Sequence, residues 1–156
     1  MNYIMSKIWS NPTWTFFHVF AEKVSEQFYN RNKDICLQII KSICNLLPCP
    51  VCRVHATNYM KRITTRQLNT KNNFKHMLFV FHNHVNRRLR KPLFKEHQLI
   101  KYKDINILTS VDLMSVEMKR FNKNPGSLFS IHLVQSDLKM LNNIRSSIYK
   151  HKRFFL

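Results

Sequence analysis

A single glycine in a chain of 156 residues is the feature that most limits how this protein can fold. Glycine supplies the positive φ angles of tight hairpin turns and the open backbone of phosphate-binding loops. A fold made of many tight hairpins, or one built around a glycine-rich phosphate loop, is therefore disfavoured. Apolar residues make up 44% of the chain and aromatic residues 12%, which is enough for a hydrophobic core at this length. We expect a folded, mainly α-helical protein.

The chain carries a large positive charge. Its 26 Lys and Arg against 8 Asp and Glu give a formal net charge of +18, which attracts nucleic acid, anionic lipid or acidic partners. The basic residues are spread along the chain and are not gathered into a known nucleic-acid-binding module. A nucleic-acid partner therefore stays open as an alternative, but it is not favoured.

The hydropathy of the chain gives no sign of membrane insertion. No apolar run reaches the ~18 residues that a membrane-spanning helix needs. The N-terminal segment MNYIMSKIW lacks the apolar stretch of a secretory signal. We expect a soluble protein that has no membrane partner and stays in the compartment where it is made.

Apolar residues at helical spacing predict two amphipathic helices in the first third of the chain. The first is predicted to begin with Asn11 as N-cap and Pro12 as first helical residue. Its apolar stripe extends to Phe28, and its inner face carries Trp14 and His18. The second helix is predicted from about Asp34 to Leu47, where Pro48 ends it.

Two further helices are predicted before Pro92. The third begins at the sequence CPVC, with Pro50 in its first turn. The stripe of the fourth helix comprises Phe74, Met77, Leu78, Phe81, His82, Val85, Asn86 and Leu89. After these, a short helix is predicted over residues 94–103.

The character of the sequence changes in its last third. The segments INILTSV and LFSIHLV are typical of strands, and they flank a helical stretch over residues 111–121 and a turn at NPGS. Ser136 is expected to cap a final helix that runs to about Tyr149. We therefore predict a bundle domain over residues 1–103 and a small α+β appendage over residues 104–156.

The role of this appendage has two interpretations. It contains no cysteine and no motif with an evident chemistry, so it is predicted to be dispensable for catalysis and to act in partner choice or oligomer geometry. The alternative is that it completes the core, because Val111, Met114, Met118 and Phe121 form an apolar helical face that must be buried.

All four cysteines lie within residues 36–52. Cys36 and Cys44 share one face of the second helix, ~12 Å apart at the helical rise, which is too far for a disulfide. They are interpreted as buried core residues. Cys49 and Cys52 form a Cys-x-x-Cys motif that opens the third helix. Unpaired N–H groups and the positive end of the helix dipole stabilise a thiolate at that place, which favours a reactive pair.

A zinc site is the competing interpretation of this motif. Cys49, Cys52, His55 and Cys44 could supply four ligands, but all four lie at one junction between two helices. No metal is therefore predicted. A thioredoxin-like motif would follow a strand, whereas a helix precedes this one. These arguments favour redox chemistry on a helical scaffold.

Two polar residues interrupt the apolar stripe of the fourth helix. His82 and Asn86 lie one turn apart, opposite a helix that carries Trp14 and His18 on its inner face. Buried polar groups need partners. Core hydrogen bonds could satisfy them, but the combination suggests a polar ligand with an aromatic surface, such as a nucleotide-like cofactor between helices.

Three motifs follow one another along the chain: Trp14-x-x-x-His18, Cys49-x-x-Cys52 and His82-Asn83-His84-Val85-Asn86-x-x-Leu89-x-Lys91-Pro92. In this order they resemble the signature of the Erv/ALR family of FAD-linked sulfhydryl oxidases. The sequence Cys52-x-x-His55-Ala56-x-x-Tyr59 is similar to the form carried by large double-stranded DNA viruses. The resemblance covers about residues 9–95.

The resemblance implies a four-helix bundle around FAD, with a short fifth helix and usually a homodimeric state. By position, the cofactor-binding residues would be Trp14, His18, His55, His82, Asn86 and Lys91. Cys49 would exchange disulfides with a thiol-containing protein substrate, and Cys52 would pass electrons to the flavin. Electrons would then reach O2 and give H2O2.

Three departures from the family pattern affect these expectations. Residues 10–12 stand where many members have a Gly-Arg pair, and Arg90 replaces the usual glycine before Lys91. Many members also carry a second cysteine pair, whereas no cysteine lies outside residues 36–52 here. The substrate would then bring its thiols directly to Cys49, or a thioredoxin-like relay protein would do so.

Two functional hypotheses follow. The leading one is a flavin-dependent thiol oxidase. If the protein is viral, it would act in the host cell cytoplasm or in the virion. Disulfides of virion components would need such an oxidase there, because the cytosol is otherwise reducing. The alternative is a basic helical module that binds nucleic acid or protein, with structural or zinc-binding cysteines.

Overall fold

The computed structural model describes residues 3–122 and 131–155, and over these ranges the protein is almost entirely helical. The α-helices are α1 (Tyr3–Lys23), α2 (Glu26–Leu46), α3 (Pro50–Lys61), α4 (Lys71–Arg88), α5 (Ile107–Asn122) and α6 (Ile131–Lys150). Short 3-10 segments span Thr65–Gln67, Glu96–Tyr102 and Lys152–Phe154. Within the described ranges no β-strand forms and no helix is long and apolar enough to cross a membrane. The mainly α prediction is confirmed.

The first helix begins earlier than predicted. Helix α1 starts by Tyr3, and Pro12 lies inside it, so the assignment of Asn11 as N-cap was wrong. A proline inside a helix costs about 3 kcal/mol because it lacks an N–H and crowds the preceding turn. The preceding turn carries Trp9, which is buried in the core and whose carbonyl accepts a hydrogen bond from the Thr13 hydroxyl at 2.7 Å. Burial of such a large ring offsets much of that cost.

The predicted stripe from Trp14 to Phe28 is divided between two helices. Ser25 caps α2, and its Oγ accepts a hydrogen bond from the backbone N–H of Phe28 at 3.2 Å. Helix α2 is then kinked at Asn32, whose φ and ψ are −134° and 28°. The helix predicted from Asp34 corresponds to the part of α2 beyond this kink.

The core lies between α1, α2 and α4 and continues to α5. Its largest fully buried side chains include Phe16, Phe20, Tyr29 and Phe74. The Tyr29 hydroxyl donates to the carbonyl of Leu68 at 2.7 Å, which satisfies the one polar atom of that ring.

The stripe predicted for α4 is buried over most of its length, with Phe74, Met77, Leu78 and Phe81 in the core. Leu89 differs from the prediction, because it lies beyond the last helical residue and is 44% exposed.

The prediction of an α+β appendage was wrong. The segment INILTSV enters α5, because the Asn106 side chain accepts hydrogen bonds from the N–H groups of Leu108 (2.8 Å) and Thr109 (3.2 Å). Residues 131–134 of LFSIHLV belong to α6, and Ser136 lies inside that helix instead of capping it. Residues 128–130 and the turn NPGS lie outside the described residues. Short apolar runs rich in β-branched residues fit a strand or a buried helix equally well, and here packing selected the helix.

The C-terminal helices share the core of the bundle. Helix α5 packs along α1, and Val111, Met114 and Met118 are fully buried. The chain end packs there too: Phe155 pairs with Val24 in an isolated bridge, and its ring lies 5.5 Å from that of Phe20. The division into residues 1–103 and 104–156 stays a prediction, and this packing favours the alternative in which the segment completes the core.

Candidate active site

The Cys-x-x-Cys motif forms a disulfide at the start of α3. The Cα atoms of Cys49 and Cys52 are 5.1 Å apart. Cys49 is the N-cap residue, and its sulfur accepts a hydrogen bond from the backbone N–H of Cys52 at 3.2 Å. After reduction, the same N–H group and the positive end of the helix dipole stabilise a thiolate at this position. Cys49 is 5% exposed, whereas Cys52 is half-buried.

The other two cysteines have no such environment. Cys36 and Cys44 are free thiols, and both are fully buried. Burial raises the pKa of each thiol to about 12, because a thiolate loses its hydration in the core. They stay protonated at neutral pH and are inert as nucleophiles, which agrees with their interpretation as core residues.

An aromatic cluster joins α1 to α4. Trp14 stacks on His82, with ring centroids 4.0 Å apart and planes 4° from parallel. His18, one turn after Trp14, is hydrogen-bonded to His82, with its Nε2 3.0 Å from the Nδ1 of His82. The three residues that the sequence placed on facing helices therefore meet in space.

Both imidazoles are held neutral. Burial lowers the pKa of His18 to about 3, with smaller contributions from His82 and Lys101. Burial likewise lowers the pKa of His82 to about 4, aided by the positive charges of Lys101 and Lys91. At neutral pH one ring nitrogen of the pair therefore donates and the other accepts. The cluster offers flat rings and hydrogen-bonding nitrogens without a charge of its own.

The segment after α4 adds residues that sequence reasoning missed. Phe94 stacks on His82 (4.9 Å between centroids) and Tyr102 stacks on His18 (4.8 Å). The ammonium group of Lys101 lies 5.2 Å and 5.0 Å from the centroids of the Phe94 and Tyr102 rings. The sequence offered only a weak signal for them, since no helical stripe links residues 94–102 to the histidines.

Asn83 holds this segment in place. Its side-chain amide donates to the carbonyl of Phe94 at 2.9 Å, and its side-chain oxygen accepts from the N–H of Phe94 at 2.8 Å. The paired hydrogen bonds fix the backbone that carries the Phe94 ring. Asn83 belongs to the motif His82-Asn83-His84-Val85-Asn86, so its presence could have suggested a structural role beside the histidine.

The end of α4 places Lys91 near the cluster. Arg90 adopts a left-handed conformation (φ 53°), and its N–H donates to the carbonyl of Arg87 at 3.1 Å. The N–H of Lys91 then reaches back to the carbonyl of Asn86 at 2.9 Å. Together these bonds form a Schellman motif, the helix ending that glycine favours. The buried Asn86 and the Lys91 that follows this turn are thus brought to the same end of α4.

Helix α3 is linked to the cluster through rings. Tyr59 stacks on Phe81 with centroids 4.6 Å apart, and Phe81 contacts Trp14 edge-on at 5.1 Å. The helix that carries the disulfide is therefore packed against the helix pair that carries the histidines. His55 is exposed on α3, and its assignment to the cofactor site stays a prediction. Over the described residues, no group of three or more His, Cys, Asp or Glu side chains could hold a metal ion.

Comparisons with known proteins identify the family of the chain. The model of the Erv1/Alr family matches residues 11–104. An African swine fever virus protein (isolate Pig/Kenya/KEN-50/1950) named FAD-linked sulfhydryl oxidase is 29% identical over 104 residues, which is 67% of this chain and 87% of that protein. Protein 096R of Invertebrate iridescent virus 3, provisionally described by the same name, is 34% identical over 87 residues, 55% of this chain and 59% of that protein. No solved structure matched the chain.

The matched region contains both parts of the site. It begins before Trp14, includes the disulfide and ends after Tyr102. It also spans well over half of the chain. The chain belongs to the Erv1/Alr family.

Proposed function

We propose that this protein is an FAD-dependent sulfhydryl oxidase that forms disulfides in thiol-containing proteins. The observation that carries the proposal is a redox-capable Cys-x-x-Cys disulfide on a helix packed against a neutral aromatic cluster. Membership of the Erv1/Alr family and the names of the viral relatives support it.

The donor set of the cluster suits FAD. Trp14, His18 and His82 offer stacking surfaces and hydrogen-bonding nitrogens for a flavin or adenine ring. Because both imidazoles are neutral, positive charge for the diphosphate comes from Lys91 and Lys101, whose charges act on His82. FAD, when bound, takes up two electrons from a dithiol and delivers them to O2, giving H2O2.

The residues of the chain perform the thiol exchange. A substrate thiolate attacks the sulfur of Cys49, forms a mixed disulfide and releases Cys52 as a thiolate. The second substrate thiol then attacks the mixed disulfide, so that the substrate leaves oxidised and both cysteines are reduced. The assignment of Cys49 to the substrate and Cys52 to the cofactor rests on their order in the family motif.

The proposed partners are based on the chemistry and on family membership, and the proposed place of action on the viral relatives. The substrate is a protein dithiol or a thioredoxin-like relay protein, O2 is the final acceptor, and the protein acts as a homodimer. The relatives are viral proteins, and we infer that this chain is also virus-encoded and acts in the host cytoplasm or the virion. A thiol oxidase there would form disulfides in a compartment that is otherwise reducing.

Flavin binding tests the proposal. The purified full-length protein should show flavin absorbance corresponding to about one FAD per chain, and His82→Ala or Trp14→Ala should weaken binding, because each removes one ring of the closest stack. His97→Ala is the matched control, since His97 is exposed on the segment that carries Lys101. Stoichiometric zinc without flavin absorbance would contradict the proposal and favour the binding-module alternative.

A further inference from the structure

Arg53 closes the turn that carries the disulfide. Its backbone N–H donates to the carbonyl of Cys49 at 2.8 Å. Its side-chain Nε reaches back six residues and donates to the carbonyl of Leu47 at 2.9 Å. The five residues between Leu47 and Arg53 include both cysteines. We call residues 47–53 the redox turn, and the side chain of Arg53 joins its two ends.

Asp137 of α6 holds the guanidinium group of Arg53. The guanidinium nitrogen Nη2 of Arg53 lies 2.8 Å from the Asp137 carboxylate. The side chains of Arg53 and Asp137 are 21% and 17% exposed. A guanidinium group is planar, so a carboxylate on one edge sets the direction in which Nε points. Asp137 is 84 residues from Arg53 in sequence and lies beyond the region matched by the family.

Helix α6 is itself firmly placed. Leu141, Ile144 and Ile148 are buried in the core. In addition, Arg145 donates to the Asp112 carboxylate of α5 at 2.6 Å, and the Tyr149 hydroxyl also bonds to that carboxylate. Asp137 therefore projects from a helix that is fixed independently of the redox turn.

We propose that Arg53 is a positioning residue for the Cys49–Cys52 disulfide and that Asp137 holds it in place. Reduction of this disulfide by two thiols yields two cysteines and one new disulfide, and the thiol protons pass to the cysteines or to solvent. The Arg53 side chain keeps the turn in the geometry that presents the Cys49 sulfur to the N–H of Cys52, and its charge favours the thiolate. The link to turnover rests on the proposed function, whereas the effect on the cysteines does not.

The test measures the thiol–disulfide equilibrium of the full-length protein in glutathione redox buffers, with alkylation and mass spectrometry as the readout. Arg53→Gln should shift the equilibrium about tenfold toward the disulfide, because the reduced form loses the positive charge that favours its thiolate. Asp137→Asn should shift it about threefold in the same direction, because a partly exposed pair contributes less.

The direction of the Asp137→Asn shift is decisive for the holding role. If Asp137 merely screened the charge of Arg53, its removal would favour the thiolate and shift the equilibrium toward the reduced form. That result would overturn the role assigned to Asp137. Asp112→Asn is the matched control, because it breaks the other ion pair of α6 without touching the turn. It should leave the equilibrium unchanged, since the buried Leu141, Ile144 and Ile148 still hold α6 in the core.

Two further measurements keep the test informative. Arg53→Lys retains the positive charge but lacks the planar guanidinium group, so we expect a shift of the equilibrium smaller than that of Arg53→Gln. This variant allows the test to be made even if Arg53→Gln does not fold. A lower thermal midpoint with an unchanged glutathione equilibrium in Arg53→Lys and Asp137→Asn would overturn the proposal. Because the equilibrium needs no flavin, a protein that lacked FAD would contradict the proposed function and still allow this test.

Discussion

Residues 11–104 and residues 105–155 differ in what they bury. The first region buries His18, Asn83 and Asn86 on helix faces that otherwise pack in the core. Among the described side chains of the second region, the buried polar residues are Ser110 and Ser115, and the rest of the buried face is apolar. The family match covers only the first region.

This difference indicates where chemistry and stability come from. A buried imidazole or amide costs free energy unless it is hydrogen-bonded, so several of them in one place are what we expect of a functional site. An apolar helix face mainly contributes to stability, through the burial of its side chains. The contact of Asp137 with Arg53 qualifies this division, because it brings the second region to the redox turn.

A chain ending at Asp104 tests the division most severely. We expect it to lose solubility and flavin together, because it removes the fully buried Val111, Met114 and Met118 and exposes the side of α1 that packs on α5. Soluble yield, circular dichroism and flavin absorbance would be measured. A truncated chain that folds, stays yellow and oxidises a small dithiol would instead show that residues 104–156 are a recognition element.

Substitution of the cysteines tests whether the chemistry lies in the first region alone. Cys52→Ser and Cys49→Ser should each abolish turnover of a dithiol substrate, and Cys49→Ser should keep a Cys52 thiolate that adds a long-wavelength absorbance band in the flavin-loaded protein. Oxygen consumption and absorbance spectra would be measured. Full activity in either variant would contradict the assignment.

The two buried cysteines are the matched control for this experiment. Cys36→Ala and Cys44→Ala should leave turnover largely intact, because neither thiol forms a thiolate at neutral pH. Their free energy of unfolding should change by about 1 kcal/mol, as is typical of mild core substitutions.

The buried histidines predict a loss of stability in acid. The folded-state pKa of His18 is about 3, below the ~6.5 of an unfolded histidine. The unfolded state therefore binds more protons below pH 6.5, so the stability is fully present above that pH and is lost as pH falls toward about 3. For His18 alone the free energy of unfolding should fall by about 2 kcal/mol between pH 7 and pH 5.

Urea unfolding at pH 7, 6 and 5 would measure this effect. His18→Gln should show a weaker pH dependence than the unsubstituted protein, whereas His97→Gln, at an exposed position, should show the same dependence. An unchanged pH dependence in His18→Gln would mean that other groups cause the acid sensitivity and would weaken the contrast between the two regions.

The smallest expected effect is at Arg90, which lies in the turn after α4, the helix that carries His82. Because Arg90 has φ 53°, Arg90→Gly should raise the free energy of unfolding by about 1 kcal/mol. Arg88→Gly removes the same charge from the last residue of α4 and should lower it by about 1 kcal/mol. Chemical denaturation would compare the two, and equal effects would show that the left-handed turn is not strained.

The spacing of apolar residues predicted that Trp14, His18 and His82 face inward, because the face on which a residue lies depends only on helical periodicity. Trp14 and His18 lie one turn apart on α1, and His82 lies on the buried stripe of α4, so a period of 3.6 residues was enough to place them inward. The same reasoning failed at Pro12 and in INILTSV, where local preference for a helix start or a strand was overridden by burial. FAD chemistry followed from the ordered motifs and was not a consequence of spacing.

By itself, the sequence determined that the protein is helical, that Cys49 and Cys52 open a helix, and that His18 and His82 face inward, because each depends on residues within a few turns of one another. Tertiary structure alone decided that Phe94 and Tyr102 pack on the histidines, that α5 completes the core, and that Asp137 meets Arg53. Those contacts join segments far apart in the chain. Their geometry depends on how whole helices pack, which no local pattern of residues specifies.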